Sequence, residues 1–408
     1  MMVAPKQAVL GLACMLISCT LMLQGCIGGN QQTGNGSPNQ SSTTSENPTT
    51  SVAPSQGILL HSTLLNHTSL DELHQAVQTP QSKVVNIFPL YSVNSYRLTY
   101  LTIDGDGTLT EASGLISIPQ KTANTSSPLL SFQHGTIFYN KDAPSNDLSA
   151  SNPARLLASL GYVVISADYV GYGASQGKKH PYLRATPSAA AVTDFLSAAR
   201  QWLATQSITI NNQLFLTGYS EGGYVTLAAQ RALETAGIHV TSSIAGAGPY
   251  HLQKTLDKVL SSSAISDALK QKLGFRPTAN NVQREAAKYP GKWDELVVDT
   301  IMDVLIPDDS DIRFDKTFLM DYMADDYTTM EANSVYNWQA RAPIRLTHGR
   351  DDSTVPFENA SITLDTMRQR QVDVALEECF ATPADHDQCI RPYTTFVTNY
   401  LNGIAQNL

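Results

Sequence analysis

The hexapeptide Gly218-Tyr219-Ser220-Glu221-Gly222-Gly223 sets a serine hydroxyl among glycines. It comes directly after the apolar run Gln213–Thr217 and opens a segment that carries Tyr224, Leu227 and Ala228. A strand that turns sharply into a helix is the context a nucleophilic serine needs. Small residues two positions either side let the turn close, and the helix N-terminus aims free N–H groups at developing negative charge. A glycine-rich turn without chemistry is the alternative reading. A serine hydroxyl is a weak nucleophile unless a base takes its proton and a third group orients that base. Histidines stand at 61, 67, 74, 134, 180, 239, 251, 348 and 386, and only His386, in Ala384-Asp385-His386-Asp387, falls between the last expected strand and the C-terminal helix. Two adjacent acids, Asp351 and Asp352, follow the preceding strand in Ile344–Pro356. The chain order is therefore Ser, Asp, His, an order suited to acyl transfer through a serine intermediate, with either acid open on spacing alone.

Such a reaction needs two backbone donors for the tetrahedral oxyanion. Glu221 N–H is one by position. The second is expected from His134-Gly135-Thr136, after the Pro128–Gln133 strand, where the glycine lets the backbone approach and Thr136 donates its N–H; a plain turn is the alternative. Cys379 and Cys389 bracket His386, and in an exported chain they are expected to pair and restrain its loop. A histidine base gives a rate that rises through roughly pH 6–7, where imidazoles lose their proton.

The elements that must position these residues alternate strand and helix. Tyr96–Ile103 and Thr110–Ile118 read as a hairpin turned at Asp104-Gly-Asp-Gly107, which is a turn rather than a calcium loop because no acid follows at the required distance. Then come strand Pro128–Gln133, helix Pro153–Leu160, strand Tyr162–Ala167, helix Ser188–Thr205, strand Gln213–Thr217, helix Gly222–Thr235 and strand Val240–Ala245. Short apolar runs between amphipathic helices predict an α/β fold, with a mostly parallel central sheet flanked by helices. Between about 250 and 340 helical patterns follow one another with no strand, which predicts a helical insertion. The rhythm resumes at Ile344–Thr347 and Val372–Leu376 and closes on a one-face helix from Tyr393 to Ile404.

The 408 residues carry 27 Lys plus Arg against 36 Asp plus Glu, a net charge of −9, with no basic run. That balance argues against nucleic-acid binding and against an electrostatic grip on anionic lipid. Five cysteines are too few for a disulfide-built scaffold. Residues 1–25 read as a signal peptide, with Lys6 as the positive region and Ala8 to Leu23 as an uncharged stretch. It ends in Leu23-Gln24-Gly25-Cys26, which resembles the bacterial lipobox and predicts lipid on Cys26; ordinary cleavage and secretion is the alternative. Loss of Lys6 leaves 26 basic against 36 acidic side chains, or −10. Residues 26–56 hold Gly, Asn, Gln, Ser, Thr and Pro with Glu46 as the single charge. They read as a flexible tether of roughly 30 Å root-mean-square reach, ahead of a catalytic domain at 57–408. The expected location is the outer membrane or cell surface.

From about residue 80 onward the chain resembles the α/β-hydrolase superfamily. More narrowly, it is similar to the secretory-lipase branch of microbial exported lipases and esterases. The hallmarks are His134-Gly-Thr136, Asp168-Tyr-Val-Gly171-Tyr-Gly173, His180-Pro-Tyr182, the serine turn with its extra Gly223, and His348-Gly-x-x-Asp352-x-x-Val355-Pro356. The last motif selects Asp352 over Asp351. The resemblance implies hydrolysis of ester or lipid substrates through an acyl-enzyme with no metal or cofactor, and a helical cap at about 250–340. Glu221 stands where relatives often carry Gln, and its charge is expected to disfavour anionic substrates. Two other function classes remain. One is a serine peptidase of the same fold, which usually carries a gating domain for which the first 80 residues are short and polar. The other is a surface lipoprotein that binds without catalysis. Asp308, Asp309, Asp311 and Asp315 offer a cation site or, more simply, a solvated acidic loop. His180-Pro-Tyr182 is expected to shape a loop, Asp168 to accept hydrogen bonds, and Trp202 to sit in the core.

Overall fold

Leu129 and Leu130, then Val163, Val164 and Ile165, then Leu214, Phe215 and Leu216 alternate between two buried clusters. Successive side chains of an extended strand point to opposite faces, so each run is a strand covered on both sides. The computed structural model describes residues 55–80, 82–122, 125–273 and 293–408. The expected signal peptide, Cys26 and the expected tether up to residue 54 lie outside the described residues, as does 274–292 of the helical insertion.

Among the described residues nine strands form one sheet: β1 (Leu59–Thr68), β2 (Val93–Ile103), β3 (Leu109–Pro119), β4 (Ser127–Gln133), β5 (Val163–Ala167), β7 (Ile210–Tyr219), β8 (Ser242–Gly246), β10 (Ile344–Gly349) and β11 (Val374–Cys379). Two-residue strands β6 (Lys179–His180) and β9 (Arg313–Phe314) pair separately. The order is β1-β2-β3-β5-β4-β7-β8-β10-β11. Neighbours from β5 to β11 run parallel, and β1 to β3 add an antiparallel edge. The hairpin between β2 and β3 is set by Asp104, whose Oδ1 accepts the N–H groups of Asp106 and Thr108 at 3.1 and 2.9 Å.

Helices α1 (Leu70–Val77) and α2 (Pro153–Ala158), with the C-terminal helix Ile390–Ile404, cover one face. Helices α3 (Ala185–Thr205) and α4 (Glu221–Thr235) cover the other. Between β8 and β10 lie helices Leu252–Leu260, Ser263–Leu273, Trp293–Leu305, Thr317–Met323 and Tyr327–Asn333. Sequence pattern showed no strand in this span, but β9 lies there and pairs in parallel with β6. Two residues are too few to show a period of two. No described helix is long and apolar enough to cross a membrane.

On α3, Asp194 accepts a hydrogen bond from Thr102 Oγ1 on β2 at 2.7 Å. Burial pushes its carboxyl up from 3.8 to about 6, against the lowering effect of that bond. A raised carboxyl means the fold binds the proton more tightly than the unfolded chain does. Its contribution to stability is fully present below pH 3.8 and is lost as pH rises through about 6. Asp194→Asn removes the buried charge and keeps an acceptor for Thr102. Urea unfolding at pH 8 is expected to show the variant more stable by about 1 kcal/mol, after discounting for partial exposure, with no gain at pH 4. Equal gains at both pH values would mean that packing, not charge, is responsible.

Candidate active site

β7 lies in the middle of the sheet between β4 and β8, and its last residue, Tyr219, hands the chain to α4 within one residue. That residue is Ser220, at φ 60° and ψ −126°. Positive φ on a non-glycine residue costs ~1–3 kcal/mol and persists only where surrounding contacts impose it. Here Ser220 N–H donates to Gly246 O at 2.9 Å, while its carbonyl accepts from Gly223 and Tyr224 N–H. The turn also presses on the end of β4. A Cβ on Gly222 would stand 2.1 Å from the Gln133 carbonyl oxygen, so only glycine fits there.

The structure brings Ser220, His386 and Asp352 together. His386 Nε2 is 2.9 Å from Ser220 Oγ, and its Nδ1 is 2.7 Å from Asp352 Oδ2. A carboxylate only accepts, so Nδ1 carries the hydrogen and Nε2 offers its lone pair to the serine hydroxyl. Asp351, the neighbouring acid, is exposed and turned elsewhere: its Oδ2 accepts Ala384 N–H at 2.9 Å. Asp352 is 5% exposed. Burial alone would raise its carboxyl. Hydrogen bonds from His348 and His386, and the favourable electrostatics of those two rings, outweigh that and hold it well below the usual carboxylate range. Its Oδ1 also accepts Thr354 and Val355 N–H at 2.9 and 2.8 Å.

The His386 loop is held from several sides. Tyr219 OH donates to the His386 carbonyl at 2.8 Å, and its ring packs 5.2 Å from the imidazole. Cys379 and Cys389 are joined in a disulfide across the loop. A Cβ on Gly349 would lie 2.0 Å from Ala384 O, so glycine at the end of β10 lets the loop close onto the sheet. Two of these supports were missed from sequence. The serine motif gives Tyr219 no role of its own. His348 was read only as part of the acid motif, yet its Nε2 lies 3.2 Å from Asp352 Oδ2.

On the opposite side of Ser220, a Cβ at Gly135 would lie 3.6 Å from the Ser220 Cβ, so the His134-Gly135-Thr136 loop runs alongside the serine. Neither the Thr136 nor the Glu221 amide is hydrogen-bonded to another backbone group among the described residues. Thr136 Oγ1 meets Tyr182 OH at 3.1 Å. His134 stacks on Tyr169, 4.0 Å between ring centroids, and burial makes it less basic than an ordinary imidazole. Glu221 departs from expectation. Its side chain is 1% exposed and paired with His180, 2.6 Å from Oε1 to Nε2, so its carboxyl is not presented to solvent. His180 in turn does more than shape a loop.

The other sequence candidates have local partners. Asp309 accepts Tyr139 OH, Asp311 accepts Asn140 N–H, and Asp315 pairs with Arg184. Among the described residues no group of His, Cys, Asp and Glu is placed to hold a metal ion. Asp168 accepts from Ser113 Oγ and from Ser145 N–H and Oγ, at 2.6 to 2.8 Å. Trp202 is buried against Tyr96.

This sheet order, with a serine at the β7–α4 turn, defines the α/β-hydrolase superfamily, and the chain belongs to it. Within that class, residues 148–236 match the model of the Prolyl oligopeptidase family. Solved structures that resemble the chain include a Legionella pneumophila protein with 22% identity and a TM-score of 0.65. That match covers 86% of this chain and 100% of the other. The rice cell wall degrading esterase LipA from Xanthomonas oryzae has 25% identity and a TM-score of 0.64, with 86% and 100% covered. Candida antarctica lipase A in its closed state has 15% identity and a TM-score of 0.53, with 87% and 84% covered. No curated protein matches by sequence.

Proposed function

We propose that the protein is a serine carboxylic-ester hydrolase that works through an acyl-enzyme outside the cytoplasm. The relay from Ser220 Oγ through the His386 ring to Asp352, with contacts of 2.9 and 2.7 Å, carries this reading. Ser220 Oγ bonds to the ester carbonyl carbon while His386 Nε2 takes its proton. The carbonyl electron pair moves onto oxygen, which accepts from Thr136 and Glu221 N–H. Collapse of the intermediate breaks the C–O bond to the alcohol, which leaves with the proton from His386. Water then repeats the sequence on the acyl-serine and releases the acid. Asp352 holds the imidazole in the working tautomer and offsets the imidazolium charge. Similarity to an esterase at 25% identity supports an ester substrate.

The test is hydrolysis of nitrophenyl esters from acetate to palmitate by the full chain, alongside peptide nitroanilides. Preference along the acyl series separates a short-acyl esterase from a lipase. Partial similarity to the Prolyl oligopeptidase family favours a second reading, amide cleavage by the same serine. Turnover of nitroanilides without esters would make that reading the better one. A binding protein without catalysis would turn over neither substrate and would not react with a fluorophosphonate probe.

Export and anchoring complete the proposal: cleavage before Cys26, lipid on its thiol, and a tether that holds the domain off the membrane. Cells fed labelled palmitate are expected to label the wild-type protein and not Cys26→Ser, which should appear in the medium. Equal labelling of both would remove the anchor and leave secretion.

A further inference from the structure

Glu221 follows the proposed nucleophile directly, and its buried carboxyl has an unusual partner. Its Oε1 lies 2.6 Å from His180 Nε2, and His180 Nδ1 lies 2.9 Å from the Val170 carbonyl oxygen. A carbonyl oxygen only accepts, so Nδ1 carries a hydrogen. A 2.6 Å contact between Nε2 and Oε1 then requires one more proton between them, on either atom. Imidazolium with carboxylate and imidazole with carboxylic acid both leave the pair at net charge zero. Glu221 Oε2 is buried with no hydrogen-bond partner among the described residues, so an unpaired carboxylate there would be costly.

The titratable groups around the pair do not replace this proton. They are His134 from the loop after β4, Tyr169 and Tyr172 from the loop after β5, Tyr182 beyond β6, and Tyr224 on α4. Burial pushes each phenol up and His134 down, so all five are neutral near pH 7. His180 is placed by the helical insertion. It pairs with Phe314 of β9, its carbonyl accepts Asp315 N–H at 2.8 Å, and the Phe314 ring meets its imidazole edge-on at 5.6 Å.

We propose that His180 is a positioning residue: it keeps Glu221 from standing as a bare negative charge beside the amide donors of the oxyanion, and it ties the serine turn to β9. A carboxylate one residue from the nucleophile would repel the negative charge that forms there, and a neutral pair does not. Because the insertion sets His180, its placement is transmitted to the serine turn through this pair. The inference rests on the ester-hydrolase reading of Ser220, and the experiment separates the two.

His180→Gln keeps a side chain that can donate an N–H to Glu221 but cannot supply a proton. In the full chain it is expected to lower kcat for nitrophenyl butyrate roughly tenfold or more, with KM within about twofold. Glu221→Gln in the same background removes the charge, and H180Q/E221Q is expected to recover most of that loss. Tm follows the same order, lower in H180Q and partly restored in the double variant. A packing role alone would leave the double variant as impaired as the single, and that result overturns the proposal, as does an unaffected H180Q. If H180Q fails to fold and the double variant folds, the charge account stands; if neither folds, it falls. Should wild type hydrolyse no ester, the function reading fails by itself. The Tm comparison then still decides the pair: recovery in the double variant supports it, and no recovery overturns it.

Discussion

Ser220→Ala is expected to lower kcat for nitrophenyl esters by about 10⁶-fold, the scale seen when a triad serine is removed, and to abolish fluorophosphonate labelling. Stability should not fall with it. Strain at the turn resides in the backbone, at φ 60°, and is imposed by the Gly246 carbonyl and by the contact of Gly222 with β4; alanine keeps the same Cβ and meets the same constraints. The hydroxyl contributes one hydrogen bond, to His386, at a half-buried position where water can replace it. Activity and Tm should therefore separate. Any rate left above the uncatalysed one is ascribed to the Thr136 and Glu221 amides and to substrate positioning. Wild-type rates in the variant would transfer the chemistry to another residue and reduce the serine turn to a fold feature.

Much of the sheet is legible in the sequence because its strands are short, apolar and separated by amphipathic helices. Strands β4, β5, β7, β8 and β10 coincide with apolar runs, and their ends lie within three residues of the sequence reading. The elements missed carry no such signal. β1 is an edge strand whose central residues His61 to Leu64 are all exposed, so nothing in it alternates. Helix Glu358–Gln369 buries only Asn359, Ala360, Thr363 and Met367, two of them polar, and shows no apolar stripe. Helix α1 was detectable in principle: Ser69 caps the N–H of Glu72, and Glu72 returns the bond to Ser69. That capping box is a local signature independent of hydrophobic period.

The site divides in the same way. Ser220, His386 and the two acids were accessible because each occupies a fixed place relative to a strand end. Choosing between Asp351 and Asp352 from spacing alone was not possible, since adjacent residues share the same strand end and differ only in side-chain direction. The supporting contacts were invisible for a different reason. Tyr219 OH reaches a carbonyl 167 positions away, His180 meets Glu221 across 41 positions, and neither pair has a local pattern. His348 is only four positions from Asp352, yet its role depends on how the turn after β10 folds back.

That fold-back gives the second large effect. Asp352→Asn is expected to lower kcat by about 10⁴-fold with KM little changed, while Asp351→Asn costs less than about tenfold. Asparagine can still accept the Thr354 and Val355 N–H groups through its oxygen, so the turn is expected to survive. Its NH2 group then faces His386, where a donor meets Nδ1–H. The imidazole must shift its hydrogen to Nε2 and loses the lone pair that takes the serine proton. Even with the amide reversed, no negative charge remains to offset the imidazolium in the transition state. His348 sharpens the expectation, because its Nε2 also lies within 3.2 Å of the same oxygen and would meet the same mismatch. Among the described residues Asp351 accepts only the Ala384 N–H, and loss of that contact loosens the His386 loop without changing its tautomer. Protonation of Asp352 itself should not limit wild-type activity at mildly acidic pH, because its hydrogen bonds to the two histidine rings outweigh burial and keep it ionised. An active Asp352→Asn with an inactive Asp351→Asn would reverse the assignment and require the loop to adopt a different arrangement in solution.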